Sequence, residues 1–84
     1  MDRPRIYSLS GWLGNKEYVF ATIKSSQDNE NLIYSTLKKE WKKLKSGSNN
    51  DPLYITQEIF RILDSLNIEY DIIDNQPILR EEAK

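Results

Sequence analysis

Glu17-Tyr18-Val19-Phe20-Ala21-Thr22-Ile23-Lys24 decides the fold together with four apolar residues further along the chain, Ile33, Leu37, Trp41 and Leu44, spaced by four, four and three. The first stretch is rich in β-branched and aromatic residues at period two, which is the pattern of a strand. The second set falls within an arc of about 80° on a helical wheel at 100° per residue, with Tyr34 at its edge. The period therefore changes from two to 3.6 across the polar segment Ser25-Ser26-Gln27-Asp28-Asn29. That segment supplies side-chain oxygens suited to capping a helix over residues 30–45. Of the two faces of strand 17–24, the aliphatic one, Val19, Ala21 and Ile23, is assigned to the core, and Tyr18 and Phe20 to the other.

Upstream, Arg5-Ile6-Tyr7-Ser8-Leu9-Ser10-Gly11-Trp12 alternates briefly and reads as a first strand. Leu13-Gly14-Asn15-Lys16 then makes a hairpin, since glycine and asparagine tolerate positive φ. Downstream, Ser46-Gly47 ends the first helix, with Gly47 expected to take the left-handed terminal conformation. Asp51-Pro52 reads as an N-cap followed by proline at the first helical position. Ile55, Ile59, Ile62, Leu63 and Leu66 extend a second helix over roughly 52–67; a start at Thr56 would leave residues 53–55 extended. Asn67 closes it. Ile68-Glu69-Tyr70-Asp71-Ile72-Ile73-Asp74 alternates apolar and acidic except at Ile72-Ile73 and reads as a third strand, with Ile68, Tyr70 and Ile72 inward and Glu69 and Asp71 outward. Asn75-Gln76-Pro77 reads as a turn, with Ile78-Leu79-Arg80 pairing back as a short edge strand and residues 81–84 frayed.

The order β-β-α-α-β-(β) gives a single α+β domain over residues 1–84, a small single-layer antiparallel sheet with two amphipathic helices on one face. The expected core is Val19, Ala21, Ile23, Ile33, Leu37, Trp41, Leu44, Ile59, Ile62, Leu63, Leu66, Tyr70 and Ile72. An 84-residue chain with neither cysteine nor histidine has no disulfide or thiolate site and lacks the commonest general base and nitrogen ligand. It must fold on apolar burial or with a partner's help. No apolar run reaches the ~18 residues of a membrane span, and the N-terminus has no secretory signal pattern. The expectation is a cytoplasmic protein without membrane contact. Abundant Asn, Lys and Ile suit an AT-rich genome, as in many phages.

Charge is split by position. Residues 1–47 hold nine basic and five acidic side chains, a balance of +4; residues 48–84 hold three basic and eight acidic, a balance of −5. Lys38, Lys39, Lys42, Lys43 and Lys45 cover the helix face opposite the apolar stripe. They read either as an electropositive ridge for an acidic protein surface or for phosphates, or as a solvated face that suits the negative end of the helix dipole. Trp41 lies on the core side, which argues against stacking on bases. Trp12, beside the hairpin, is a core plug or an exposed binding anchor. Glu69, Asp71, Asp74, Glu81 and Glu82 lack the spacing of a calcium loop and serve as charges that discourage edge-to-edge pairing. No serine has a histidine to activate it, and Gly11 and Gly14 do not make a phosphate loop.

Thr56 through Ala83, above all Ile59-Phe60-Arg61-Ile62-Leu63-Asp64-Ser65-Leu66-Asn67-Ile68-Glu69-Tyr70 and Glu81-Glu82-Ala83, resembles the opening helix–strand unit of prolyl-tRNA-type editing deacylase domains. The unit covers a third of the chain. Gln76 stands where that family often has a histidine before proline, and the resemblance implies a local motif without the activity.

The functional expectation is a small non-enzymatic protein-interaction or regulatory module with no cofactor or metal, which binds another protein or itself; a phage or accessory inhibitor of a host factor is one form of it. Its candidate contact residues are Lys38, Lys39, Lys42, Lys43, Lys45 and Trp12. The alternative is a nucleic-acid-binding module that uses the same lysine face with Arg3 and Arg5.

Overall fold

The structure is a computed structural model that describes residues 3–83. Two long strands, β1 (Pro4–Leu13) and β2 (Lys16–Ser26), form an antiparallel hairpin. Its loop is Gly14-Asn15, and Gly14 has a φ of 66°, the positive value that the first position of a type II′ turn requires. A short 3₁₀ turn over Gln27–Asn29 leads into α1 (Glu30–Ser48), and α2 (Pro52–Ser65) follows. The chain ends with β3 (Tyr70–Asp74) and β4 (Ile78–Glu82). The α+β architecture and the order β-β-α-α-β-β are as the periodicity predicts.

The caps explain where the helices begin and end. Ser26 Oγ accepts from the Asp28 N–H at the turn before α1. Asp51 Oδ1 accepts from the Leu53 N–H, and Pro52 opens α2, as the sequence indicates. Gly47 does not end α1. The helix runs on to Ser48 and stops where Asn49 and Asn50 take φ of 52° and 60°. Gly47 instead lies against α2: a Cβ there would sit 3.0 Å from the Tyr54 hydroxyl oxygen, a close contact that the tyrosine would have to relieve by a small shift. Ser48, buried, donates to the Lys45 carbonyl and accepts from the Asn50 N–H. Asn67 has a φ of 58° just past α2, the left-handed residue expected there.

β2 is the centre of the sheet. β1 lies on one side, and β3 and β4 lie end to end on the other. Ile78–Arg80 therefore does not pair back on β3. Beyond Asn75-Gln76-Pro77 the chain continues in the same direction and pairs with Lys16–Val19 of β2. Eleven-residue β2 spans about 36 Å, enough for both five-residue strands. Pro77 has no N–H to offer a ladder, and Asp74 Oδ1 accepts from the Gln76 N–H to shape the break. Glu81 and Glu82, read as part of a frayed tail, lie opposite Glu17 and Lys16. The Ala83 N–H donates to the Asn15 carbonyl at 2.7 Å, and Lys84 lies outside the described residues.

One bulge decides the core. Leu9 faces Ala21 and Ser10 faces Val19, which leaves Phe20 as an extra residue in β2. Before it, Tyr18 points to the helices; after it, Ala21, Ile23 and Ser25 do. Phe20 itself is fully buried. The core is Tyr7, Leu9, Leu13, Phe20, Ala21, Ile23, Ile33, Leu44, Ile55, Ile59 and Leu63, with Tyr18, Leu37, Trp41, Phe60, Ile62, Leu66 and Tyr70 packed on its rim. Two expected members are corrected. Val19 falls on the far face because the bulge reverses alternation. Ile72, opposite Ile23, is 52% exposed because it lies on an outer strand at the rim of the helix layer.

Candidate interaction surface

α1 lies over β1. Arg5 Nη1 pairs with Glu30 Oε1 at 2.9 Å, the rings of Tyr7 and Tyr34 meet edge to face with centroids 5.8 Å apart, and Trp41 packs over Gly11. α2 lies over β2 and β3. Thr56 reaches the Phe20 carbonyl, Phe60 stacks on Tyr70, and the Tyr70 hydroxyl donates to Asp64 Oδ1 at 2.6 Å. Burial first, and then the bond to and charge of Asp64, push the Tyr70 pKa up to about 12. Burial first, with the Glu30 carboxylate second, also raises Tyr7 and Tyr34 above the usual tyrosine value.

This layering turns the charge split along the sequence into a split across the molecule. The lysines stand on the helix above one sheet edge. Asp71, Asp74, Glu81 and Glu82 lie in the strands of the other edge, with Glu69 just before them. The two edges are two strand spacings apart, about 10 Å, close to one Debye length at ~0.1 M salt. The basic and acidic sides thus act as separate surfaces.

Lys38, Lys39, Lys42, Lys43 and Lys45 are all exposed. None joins an ion pair among the described residues, where the pairs are Arg5–Glu30, Glu58–Arg61 and Glu17–Arg80. The lysines do not act as one set. Lys38, Lys42 and Lys45 fall on the flank of α1 that carries Tyr34 and Trp41, whereas Lys39 and Lys43 turn away from the sheet. A groove of about 240 Å³ runs between α1 and β1, lined among others by Leu9, Ser10, Gly11, Tyr34, Lys38 and Trp41. The Lys45 ammonium stands 5.9 Å from the Trp41 ring centroid. The indole is therefore held between Gly11, Phe20 and Lys45.

Trp12 is not part of this cluster. Gly11 and Leu13 point to the helix side, so Trp12 projects from the opposite, helix-free face of the sheet, 39% exposed. It is not a core plug. The sequence missed Tyr34 and Gly11 as groove residues. The 60° offset of Tyr34 from Leu37 on the wheel marks its flank, but the closeness of Gly11 to Trp41 has no local signal.

Among the described residues no cluster of three or more His, Cys, Asp or Glu side chains is arranged to hold a metal ion. No helix of these residues is long and apolar enough to cross a membrane. Comparison with protein-family models, with curated proteins and with solved structures gave no match.

Proposed function

We propose that this chain is a non-enzymatic protein-interaction module that regulates an acidic partner by occupying it through the α1–β1 side. The observation that carries this reading is a set of exposed lysines that join no ion pair among the described residues, set beside a partly apolar groove and on the opposite side from the acidic strands. Unpaired charge of one sign steers association and selects partners of the other sign, while it adds little to folding. The tyrosine and tryptophan of the groove are the residue types that anchor interfaces.

The same unpaired lysines favour a second reading, a nucleic acid held by its phosphates. It is the weaker of the two, because Trp41 is packed against Gly11 and Phe20 and so is not free to stack on a base.

Affinity capture from a lysate of the source organism, with and without nuclease, tests the reading, with Lys38→Glu/Lys42→Glu as a parallel bait. One stoichiometric protein retained after nuclease and lost with the reversed bait is the expected result. Recovery of nucleic acid alone would replace it by the second reading.

A further inference from the structure

We propose that the free edge of β1 is a strand-addition site for an extended, acid-rich segment of the partner, which sets its carboxylates against Lys38, Lys42 and Lys45. This inference rests on the proposed function and specifies the form of the partner.

The two edges of the sheet differ in kind. The β3/β4 edge is broken at Asn75-Gln76-Pro77, carries the extra residues Ile73 and Arg80, and holds Asp71, Asp74, Glu81 and Glu82. Bulges, proline and charge are the devices that keep an edge from pairing. β1 has few of them. It runs ten residues from Pro4 to Leu13 without a break, and Arg5, already paired with Glu30, is its only charged side chain. The bulge of the hairpin belongs to β2, so alternation along β1 is continuous. Among the described residues nothing pairs with its outer side. Roughly half of its backbone N–H and C=O groups are thus open to an added strand.

The charge above that edge selects the occupant. On a strand, side chains of one face recur every 6.6–6.8 Å or so. Lys38 and Lys42 are separated by four helical residues, about 6.0 Å of rise. Carboxylates at alternate positions of an added strand therefore match these two lysines to within about an ångström, and Lys45 continues the row. The groove beside Gly11 and Tyr34, about 240 Å³, has room for an apolar side chain that takes the place of one carboxylate on the same face of the segment. A second copy that offered its own β1 would bring two lysine rows together, and like charges across an interface are repelled. A second copy that offered β3/β4 would present the bulged, proline-broken edge.

Fluorescence anisotropy with the full chain at about 50 mM salt, where the Debye length exceeds ~10 Å, tests the proposal. The probes are labelled peptides of the length of β1 that alternate Glu with Val, Ile or Tyr, and a peptide of residues 68–72, Ile-Glu-Tyr-Asp-Ile, which alternates apolar and acidic. Each is also made with N-methylated amides on one edge or the other, and a 20-nucleotide single-stranded DNA is run beside them. The acidic peptides are expected to bind, to lose at least roughly tenfold in affinity when one edge is methylated but not the other, and to lose as much with Lys38→Glu/Lys42→Glu. Hydrogen exchange should slow in β1 and stay unchanged in β4. Several outcomes would overturn strand addition: no binding by any acidic peptide, equal binding by both methylated forms, protection at β3/β4, tighter binding of the DNA, or growth in molecular mass with concentration. Capture of a folded protein that needs Lys38 and Lys42 while both methylated peptides bind alike removes strand addition and keeps the interaction module. Capture that is indifferent to Lys38→Glu/Lys42→Glu removes both.

Discussion

The Thr56 hydroxyl of α2 donates to the carbonyl of Phe20 at 2.8 Å, with the Pro52 carbonyl 3.2 Å away. Phe20 is the extra residue of the β2 bulge and has no partner across any of the ladders. A side chain from the helix layer thus satisfies the backbone group that the bulge displaces, and the bulge is what allows Phe20, Ala21 and Ile23 all to enter the core.

Removal of that hydroxyl should leave a buried carbonyl without a donor. Thr56→Val, close in shape, is expected to cost about 1–3 kcal/mol, and Thr56→Ser well under half of that. Urea melts of the two variants decide it; equal stabilities would show that the bond contributes nothing.

Gly11 and Trp41 should be coupled. A Cβ on Gly11 would sit 2.9 Å from Trp41 Cζ2, so Gly11→Ala must push the indole aside, at about 1–2 kcal/mol. Trp41→Ala alone should cost about 3 kcal/mol, the low end for a large aromatic, because the ring is only partly buried. With Trp41→Ala in place, Gly11→Ala should become neutral or stabilising, since alanine is less costly than glycine in a strand. A double-mutant cycle by denaturation measures this coupling; additive losses would place the clash elsewhere.

How much of this was legible in the sequence depends on where local pattern governs. Ile33 and Leu44, or Ile59 and Leu63, share a helix face by spacing alone, so both helices and their inward faces are readable. Asp51-Pro52 and Gly14-Asn15 are readable because each acts on its own neighbours. Phe20 was not, because a bulge depends on which residues lie across the ladder, and one extra residue moved Val19 out of the core. The course of residues 75–82 was not, because Asn75-Gln76-Pro77 has turn composition and only the length of β2 gives β4 a place to continue. For the candidate surface, the lysine row was readable from the wheel. That Lys38, Lys42 and Lys45 border a groove while Trp12 faces the other way depends on α1 lying over β1, which is a tertiary fact.

Stability should fall at high pH. The pKa of Tyr70 is raised to about 12 in the folded chain, against ~10 for an unperturbed tyrosine. The unfolded chain therefore loses this proton first. The contribution is complete below pH ~10 and is lost as pH rises towards about 12. Tyr7 and Tyr34 shift in the same direction and add to the slope. Tyr70→Phe should flatten it in urea melts between pH ~9 and ~12, and should remove the latest phenolate transition seen by ultraviolet absorbance. An unchanged slope would mean that burial and the Asp64 contact do not hold the Tyr70 proton in the folded chain.

The association rate of the captured partner with Lys38→Glu/Lys42→Glu, at about 50 mM salt, decides whether the α1–β1 side is the recognition surface. A Glu69→Gln/Glu81→Gln variant on the opposite edge serves as control. The lysine reversal should slow association by at least roughly tenfold, flatten the salt dependence between ~50 and ~500 mM, and leave Tm nearly unchanged, because rim charges steer encounter and contribute little to folding. The control should associate as wild type does. A lysine-reversed chain that binds as fast as wild type would contradict the account and assign recognition to the face of Trp12 or to the acidic strands.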